Sequence, residues 1–119
     1  MIYYDTKTGN VLAFLNKVNA VHNIDFETIN ENTKLDADAH FITYTIGDGQ
    51  LSNEAKKFLA DNFKWIKTIS SSGNDERHPT TYGLAIEKAV TAYPNIEKGI
   101  RFNLTGNDED IQNFIELIK

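Results

Sequence analysis

Hydroxyl, amide and glycine residues are concentrated in three short segments of the chain: Asp5-Thr6-Lys7-Thr8-Gly9-Asn10, Thr45-Ile46-Gly47-Asp48-Gly49-Gln50 and Ser72-Gly73-Asn74. The first leads into a run with helical apolar spacing. Hydroxyl donors and free backbone N–H groups at a helix start form an anion site, helped by the helix dipole, and Lys7 adds a positive charge. An ordinary capped turn uses the same residue types, so this loop alone leaves both readings open. The other two segments suit the edge of a flat heterocycle. Glycines let the backbone come close, and main-chain N–H and C=O groups can then read polar ring atoms. Gly-Asp-Gly is also a serviceable turn anywhere, and what favours a binding site is the convergence of all three segments on one rim of one sheet.

Other chemistries fail on the same residues. A nucleoside-triphosphate P-loop needs Gly-Lys followed by Ser or Thr, and that tripeptide does not occur. There is no cysteine, which removes disulfides, thiolate metal sites, iron–sulfur clusters and cysteine nucleophiles, including the phosphotyrosine-phosphatase loop. A response-regulator receiver would end its third strand in aspartate and its fifth in lysine. Here those strands end at Tyr44-Thr45 and Asn103-Leu104-Thr105. His22, His40 and His78 are far apart with no supporting carboxylate pattern, so no protein residue is expected to act as general acid, base or nucleophile. Only His78 falls near the candidate loops. Any redox chemistry must come from a bound cofactor.

The bulk properties bound the rest. A chain of 119 residues fits one compact domain, residues 1–119, and its 40% hydrophobic content is enough for one core. A net charge of −5, with two arginines and scattered lysines, argues against a nucleic-acid surface. No apolar run approaches the roughly 20 residues that span a bilayer, and the opening Met1-Ile2-Tyr3-Tyr4-Asp5 lacks a signal-peptide pattern. A soluble, cytoplasmic protein is the expectation.

The elements that must position the loops alternate in type. Met1–Tyr4 reads as a strand, and Val11, Leu12, Phe14, Leu15 and Val18 recur at helical spacing from Asn10 to about Val18. Ile24 and Phe26 suggest a short edge strand before an irregular acidic connection. His40–Ile46 is a continuous β-prone run of the kind buried on both faces. Ser52 reads as the N-cap of a helix to about Phe63. Trp65–Ser70 is a strand, a helix runs from about Thr81 to Tyr93 before Pro94 stops it, Gly99–Leu104 is the last strand, and Asn107 caps a final helix. Five strands alternating strictly with four helices predict a flavodoxin-like three-layer α/β sandwich, with a parallel sheet in the order 2-1-3-4-5. In such a sheet, ligands bind beyond the carboxyl ends of the strands, where the three segments lie.

Together those segments resemble the NrdI family, the flavodoxin-like FMN proteins associated with class Ib ribonucleotide reductase. Tyr4-Asp5-Thr6-Lys7-Thr8-Gly9-Asn10-Val11 is close to that family's phosphate loop. Phe41-Ile42-Thr43-Tyr44-Thr45 with the following Gly-containing loop and Gln50 matches its third strand and flavin loop. Ser72-Gly73-Asn74 matches its fourth-strand loop, and Phe102-Asn103-Leu104-Thr105-Gly106 with Asp110 its last strand and turn. The resemblance implies that Thr6, Thr8, Gly9, Asn10 and Val11, with Lys7 beside them, hold the FMN phosphate. Tyr44, Thr45, Ile46 and the turn Gly47, Asp48, Gly49 would line the ring, with Ser72, Gly73 and Asn74 on its other edge and His78 and Tyr82 in the segment that follows. The chain departs from the family there. An aromatic residue followed by Gly usually comes after Ser-Gly-Asn, whereas this chain has Asp75-Glu76-Arg77-His78-Pro79-Thr80-Thr81 before Tyr82-Gly83. The implied role is delivery of reducing equivalents, or of a reduced oxygen species such as superoxide, to the dimanganese radical subunit of the reductase. A general flavodoxin electron carrier and a flavin-free binding module on the reductase are the competing readings.

Overall fold

The computed structural model describes residues 1–46, 49–74 and 83–119. Its strands are β1 (Ile2–Tyr4), β2 (Phe26–Thr28), β3 (Ala39–Tyr44), β4 (Ile66–Gly73) and β5 (Glu97–Asn103). They pair in parallel in the order β2-β1-β3-β4-β5. The helices are α1 (Asn10–Val21), α2 (Asn53–Asn62), α3 (Leu84–Ala92) and α4 (Asp108–Ile118). No described helix is long and apolar enough to cross a membrane.

Strand side chains alternate between the two faces, so each face of the sheet builds its own core. On one face Ile2, Ile42 and Phe102 meet Val11, Phe14, Leu15 and Val18 of α1 and Ile111, Phe114 and Ile115 of α4. On the other, Phe41, Ile66 and Ile69 meet Ala55, Phe58 and Leu59 of α2 and Ile86 and Ala89 of α3. The neighbours Phe41 and Ile42 both have no exposed surface, yet they belong to opposite cores. This is the expected three-layer sandwich.

Boundaries differ from the sequence reading in ways that bear on the rim. Helix α1 runs on to Val21, and β5 begins at Glu97 rather than Gly99. Trp65 lies in a 3-10 turn, Phe63–Trp65, instead of opening β4. Ile24 lies outside β2, although it packs against the α1–α4 core. The expected start of α3 near Thr81 falls outside the described residues. Thr45 and Ile46 lie beyond the end of β3, because Ile46 turns back to pair with Gln50 in an isolated antiparallel bridge. Ser72 and Gly73, read as loop, are the end of β4, paired with Tyr44 on one side and Phe102 and Asn103 on the other.

That extension of β4 depends on a bulge. Ile69 pairs with Lys98 and Ser71 with Arg101, so Ser70 alone stands opposite Gly99 and Ile100. The Ile100 N–H donates to Ser70 Oγ at 3.1 Å, replacing the ladder bond lost there. Gly99 is the residue this geometry tolerates: a Cβ on it would lie 2.2 Å from Ser70 Oγ and 2.8 Å from the Ile69 carbonyl. Gly99→Ala should therefore destabilise the fold by about 1–3 kcal/mol, the usual cost of overpacking. Urea unfolding would measure it, and parent-like stability would show that the bulge has slack.

Candidate functional site

The carboxyl ends of β1, β3, β4 and β5 border a cleft of about 270 Å³ lined by Thr6, Lys7, Thr8, Asn10, Val11, Tyr44, Thr45, Ile46, Ser72, Gly73, Asn74 and Leu104. All three candidate segments contribute. Of the other expected residues, Gly9 is the N-cap of α1, and Gly49 is buried at φ +101° with its Cα facing Leu84 of α3. Gly47, Asp48, His78 and Tyr82 fall outside the described residues. His22 and His40 border a separate hollow at the amino ends of the strands. There, burial first, and then the N-terminal amine and Lys67, push the His40 imidazole below its ordinary pKa.

Helix α1 opens onto this cleft with its N-terminus uncapped. Gly9 sits at φ +88° and supplies no side-chain cap, and no acidic residue occupies the first turn. Helices α2 and α4, by contrast, are closed by Ser52 and Asn107, whose side chains accept from the Ala55 and Asp110 N–H groups. The Gly9 N–H donates to Thr6 Oγ1 at 3.0 Å, which folds the loop and leaves the Thr6 hydroxyl proton for another acceptor. Nothing lies within 4 Å of the space beside the Gly9 Cα. Orphan N–H groups, two threonine hydroxyls and a lysine are the donor set of a phosphate site. Gly73, which has no side chain, and the half-buried Tyr44 both line the cleft, and a glycine and an aromatic residue suit a planar group. The residues present therefore fit a phosphorylated heterocycle.

The rim is braced by hydrogen bonds that converge on the end of β4. The Thr45 N–H donates to the Ser72 carbonyl at 2.9 Å, and the Leu104 N–H donates to the Gly73 carbonyl at 2.8 Å. Ser72 Oγ donates to the Leu104 carbonyl at 2.7 Å, while the hydroxyls of Thr45 and Ser71 share a 2.9 Å bond. Ser70, Ser71 and Ser72 are all buried, and these bonds offset their desolvation.

Two features of the rim went unread in the sequence. Leu104 carries no binding signal in its residue type, although the carboxyl end of β5 shares the same rim. It is the one described non-glycine residue with positive φ, at 53°, a conformation that costs an L-residue roughly 1–2 kcal/mol. The other is Asp5, which is buried beneath the phosphate-type loop. Its Oδ2 accepts from Ser52 Oγ at 2.6 Å, tying the end of β1 to the cap of α2. Its Oδ1 has no partner. The Thr43 hydroxyl is near enough to favour the ionised carboxylate but does not reach hydrogen-bonding geometry. Burial dominates and lifts the Asp5 carboxyl above its ordinary 3.8, with Glu54 adding to the rise. Burial, and then the Asp5 charge, also raise the Tyr44 phenol.

A raised folded-state pKa means that the folded protein holds this proton longer than the unfolded chain does. The stability it contributes is fully present below the unfolded value and is lost as pH rises through the folded one. Asp5→Asn keeps an acceptor for Ser52 and removes the buried charge. It should raise the denaturation midpoint at neutral pH, with the gain shrinking toward acid, as read from urea unfolding across a pH series. A loss of stability at neutral pH would mean that the ionised carboxylate is compensated in the fold.

Comparisons with known proteins agree with this architecture. The family described as NrdI flavodoxin-like matches residues 2–116. The SPbeta prophage-derived protein NrdI of Bacillus subtilis (strain 168) is 29% identical over 116 residues, covering 98% of this chain and 88% of that protein. Among solved structures, oxidised flavodoxin 2 from Bacillus cereus superposes with a TM-score of 0.67 at 18% identity, covering 98% of this chain and 92% of the other. A flavodoxin from Streptococcus pneumoniae TIGR4 gives a TM-score of 0.68 at 20% identity, covering 97% and 91%. The strand order, the rim that carries the cleft and a family match along nearly the whole chain lead to one conclusion: this chain belongs to the NrdI flavodoxin-like family.

Proposed function

We propose that the chain binds FMN in the rim cleft and serves in the cytoplasm as a redox accessory to class Ib ribonucleotide reductase. The observation that carries the reading is the uncapped start of α1, opening between Thr6, Lys7 and Thr8. Members of the NrdI and flavodoxin families bind FMN, whose phosphate supplies the anion that such a helix start lacks. The N–H groups of the first turn, with the Thr6 and Thr8 hydroxyls, hold the phosphate. Lys7 partly neutralises it, the Asn10 side-chain amide adds a donor, and Val11 closes the loop. Tyr44, Thr45 and Ile46 on one side, with Ser72, Gly73 and Asn74 on the other, orient the ring. The family resemblance also assigns Gly47, Asp48, Gly49, His78 and Tyr82 to the ring's surroundings.

When bound, the flavin supplies the one- and two-electron chemistry, and the chain supplies binding, orientation and electrostatics. The Thr45–Ser71 and Ser72–Leu104 hydrogen bonds hold the rim in place, and buried Asp5, bonded to Ser52, ties the end of β1 beneath it to α2. The partner in this reading is the dimanganese radical subunit, which receives reducing equivalents or a reduced oxygen species while its tyrosyl radical is generated. The NrdI name of the B. subtilis relative supports that partner.

Thr8→Ala and Asn10→Ala should each weaken FMN by about 1.5–3 kcal/mol, the worth of a hydrogen bond to a charged group, and leave riboflavin affinity unchanged. Equal weakening of both flavins would put the phosphate elsewhere. The partner assignment has its own test. Reduced, FMN-loaded protein added with oxygen to the manganese-loaded radical subunit should raise the tyrosyl radical signal in electron paramagnetic resonance. No rise would favour a general electron carrier.

A further inference from the structure

Leu104 occupies a position that the fold alone gives no reason to fill with leucine. It is the first central residue of a turn closed by the Gly106 N–H on the Asn103 carbonyl at 2.9 Å. Its φ is +53°, while Thr105 is not among the positive-φ residues. A positive φ at a turn position is one that glycine and asparagine adopt with least strain. The two bonds that Leu104 makes to β4 use only its main chain, its N–H on the Gly73 carbonyl and its carbonyl under Ser72 Oγ. Any residue could make them. The side chain is not core either, for it remains 41% exposed.

It does line the cleft. Among the described residues, five large hydrophobics are notably exposed, and of these only Leu104 and Ile46 border that cleft. The two are mounted on opposite flanks of the same strand end. Thr45, just before Ile46, is bonded to Ser72, and Leu104 is bonded to Gly73. A strained backbone at a binding rim points to use of the side chain it carries.

We propose that Leu104 is a cofactor-binding residue, an apolar wall that the strained turn holds against the non-phosphate part of the flavin, opposite Ile46. The inference rests on the FMN reading and goes beyond it by giving β5 a share of the site. A leucine side chain offers no hydrogen bond to a phosphate, so its contact must be with the ring or the sugar-alcohol chain. Riboflavin has both.

The test is FMN and riboflavin affinity, by fluorescence quenching, with thermal unfolding of the flavin-free protein alongside. Leu104→Gly and Leu104→Asn both suit the turn. Each should weaken FMN and riboflavin by the same factor, about five- to tenfold for a partly buried leucine, without lowering the unfolding temperature. Leu104→Met, which keeps an apolar side chain of similar volume, should bind both flavins like the parent. Undiminished affinity in the Gly and Asn variants would overturn the proposal, as would a loss confined to FMN. A parent chain that takes up neither flavin would overturn the FMN reading itself, and that result precedes any variant.

Discussion

Every strand of the sheet runs the same way, so every strand ends on the same rim, and all the local chemistry is subordinate to that constraint. Parallel pairing requires a crossover between successive strands, and helices provide it. Each crossover helix starts at the carboxyl rim, so helix N-termini collect there beside the strand ends. With β1 between β2 and β3, the chain leaves β1 for one face and β3 for the other. The divergence opens a gap at the top of the sheet, at the switch point where ligands bind in open α/β sheets. The phosphate-type loop and the Tyr44–Ile46 segment are the two banks of that gap.

A rim of loops would be soft without bracing, and here the bracing is polar. The serines of β4 have no exposed surface to spare for water, so their hydroxyls go to neighbouring backbone and side chains. Ser70 repairs the bulge opposite β5, Ser71 reaches Thr45 and Ser72 holds the turn at Leu104. Ser52 is used twice, capping α2 and binding Asp5. One buried carboxylate thus joins the floor of the phosphate-type loop to the start of a helix on the opposite face. The α1 N-terminus, like that of α3, starts at a left-handed glycine with no side-chain cap, and among the described residues it is the α1 start that lines the cleft. The buried serines of the rim find partners within the fold, Asp5 Oδ1 and Thr43 Oγ1 do not, and in the proposed reading the α1 start takes an external anion.

Much of this was legible from residue types alone. The apolar spacing of Val11, Phe14, Leu15 and Val18, and of Ile111, Phe114 and Ile115, reports a helix face directly because burial on a helix recurs with its period. The run from His40 to Tyr44 reports a strand covered on both sides. Asn107 and Ser52 announced their caps, and the three loops reached one cleft as strict alternation required. The end of β4 was misread for a physical reason. Serines and a glycine carry loop chemistry, and only the partners across β3 and β5 make them a strand. Leu104 gave no local signal, because leucine does not advertise a positive φ; the strain exists only once the turn is closed. Asp5 looked like one more polar loop residue, and its burial follows from Ser52, 47 positions away.

An open α1 start beside a cleft of this kind should take up FMN. The direct measurement is a titration of the flavin-free chain with FMN, followed by visible absorbance and flavin fluorescence. Saturation at one FMN per chain, with a perturbed flavin spectrum and clearly tighter binding than riboflavin, is the expected result. A chain that shows no saturable uptake of FMN, or that binds riboflavin equally well, would contradict the assignment of the α1 N-terminus as a phosphate site.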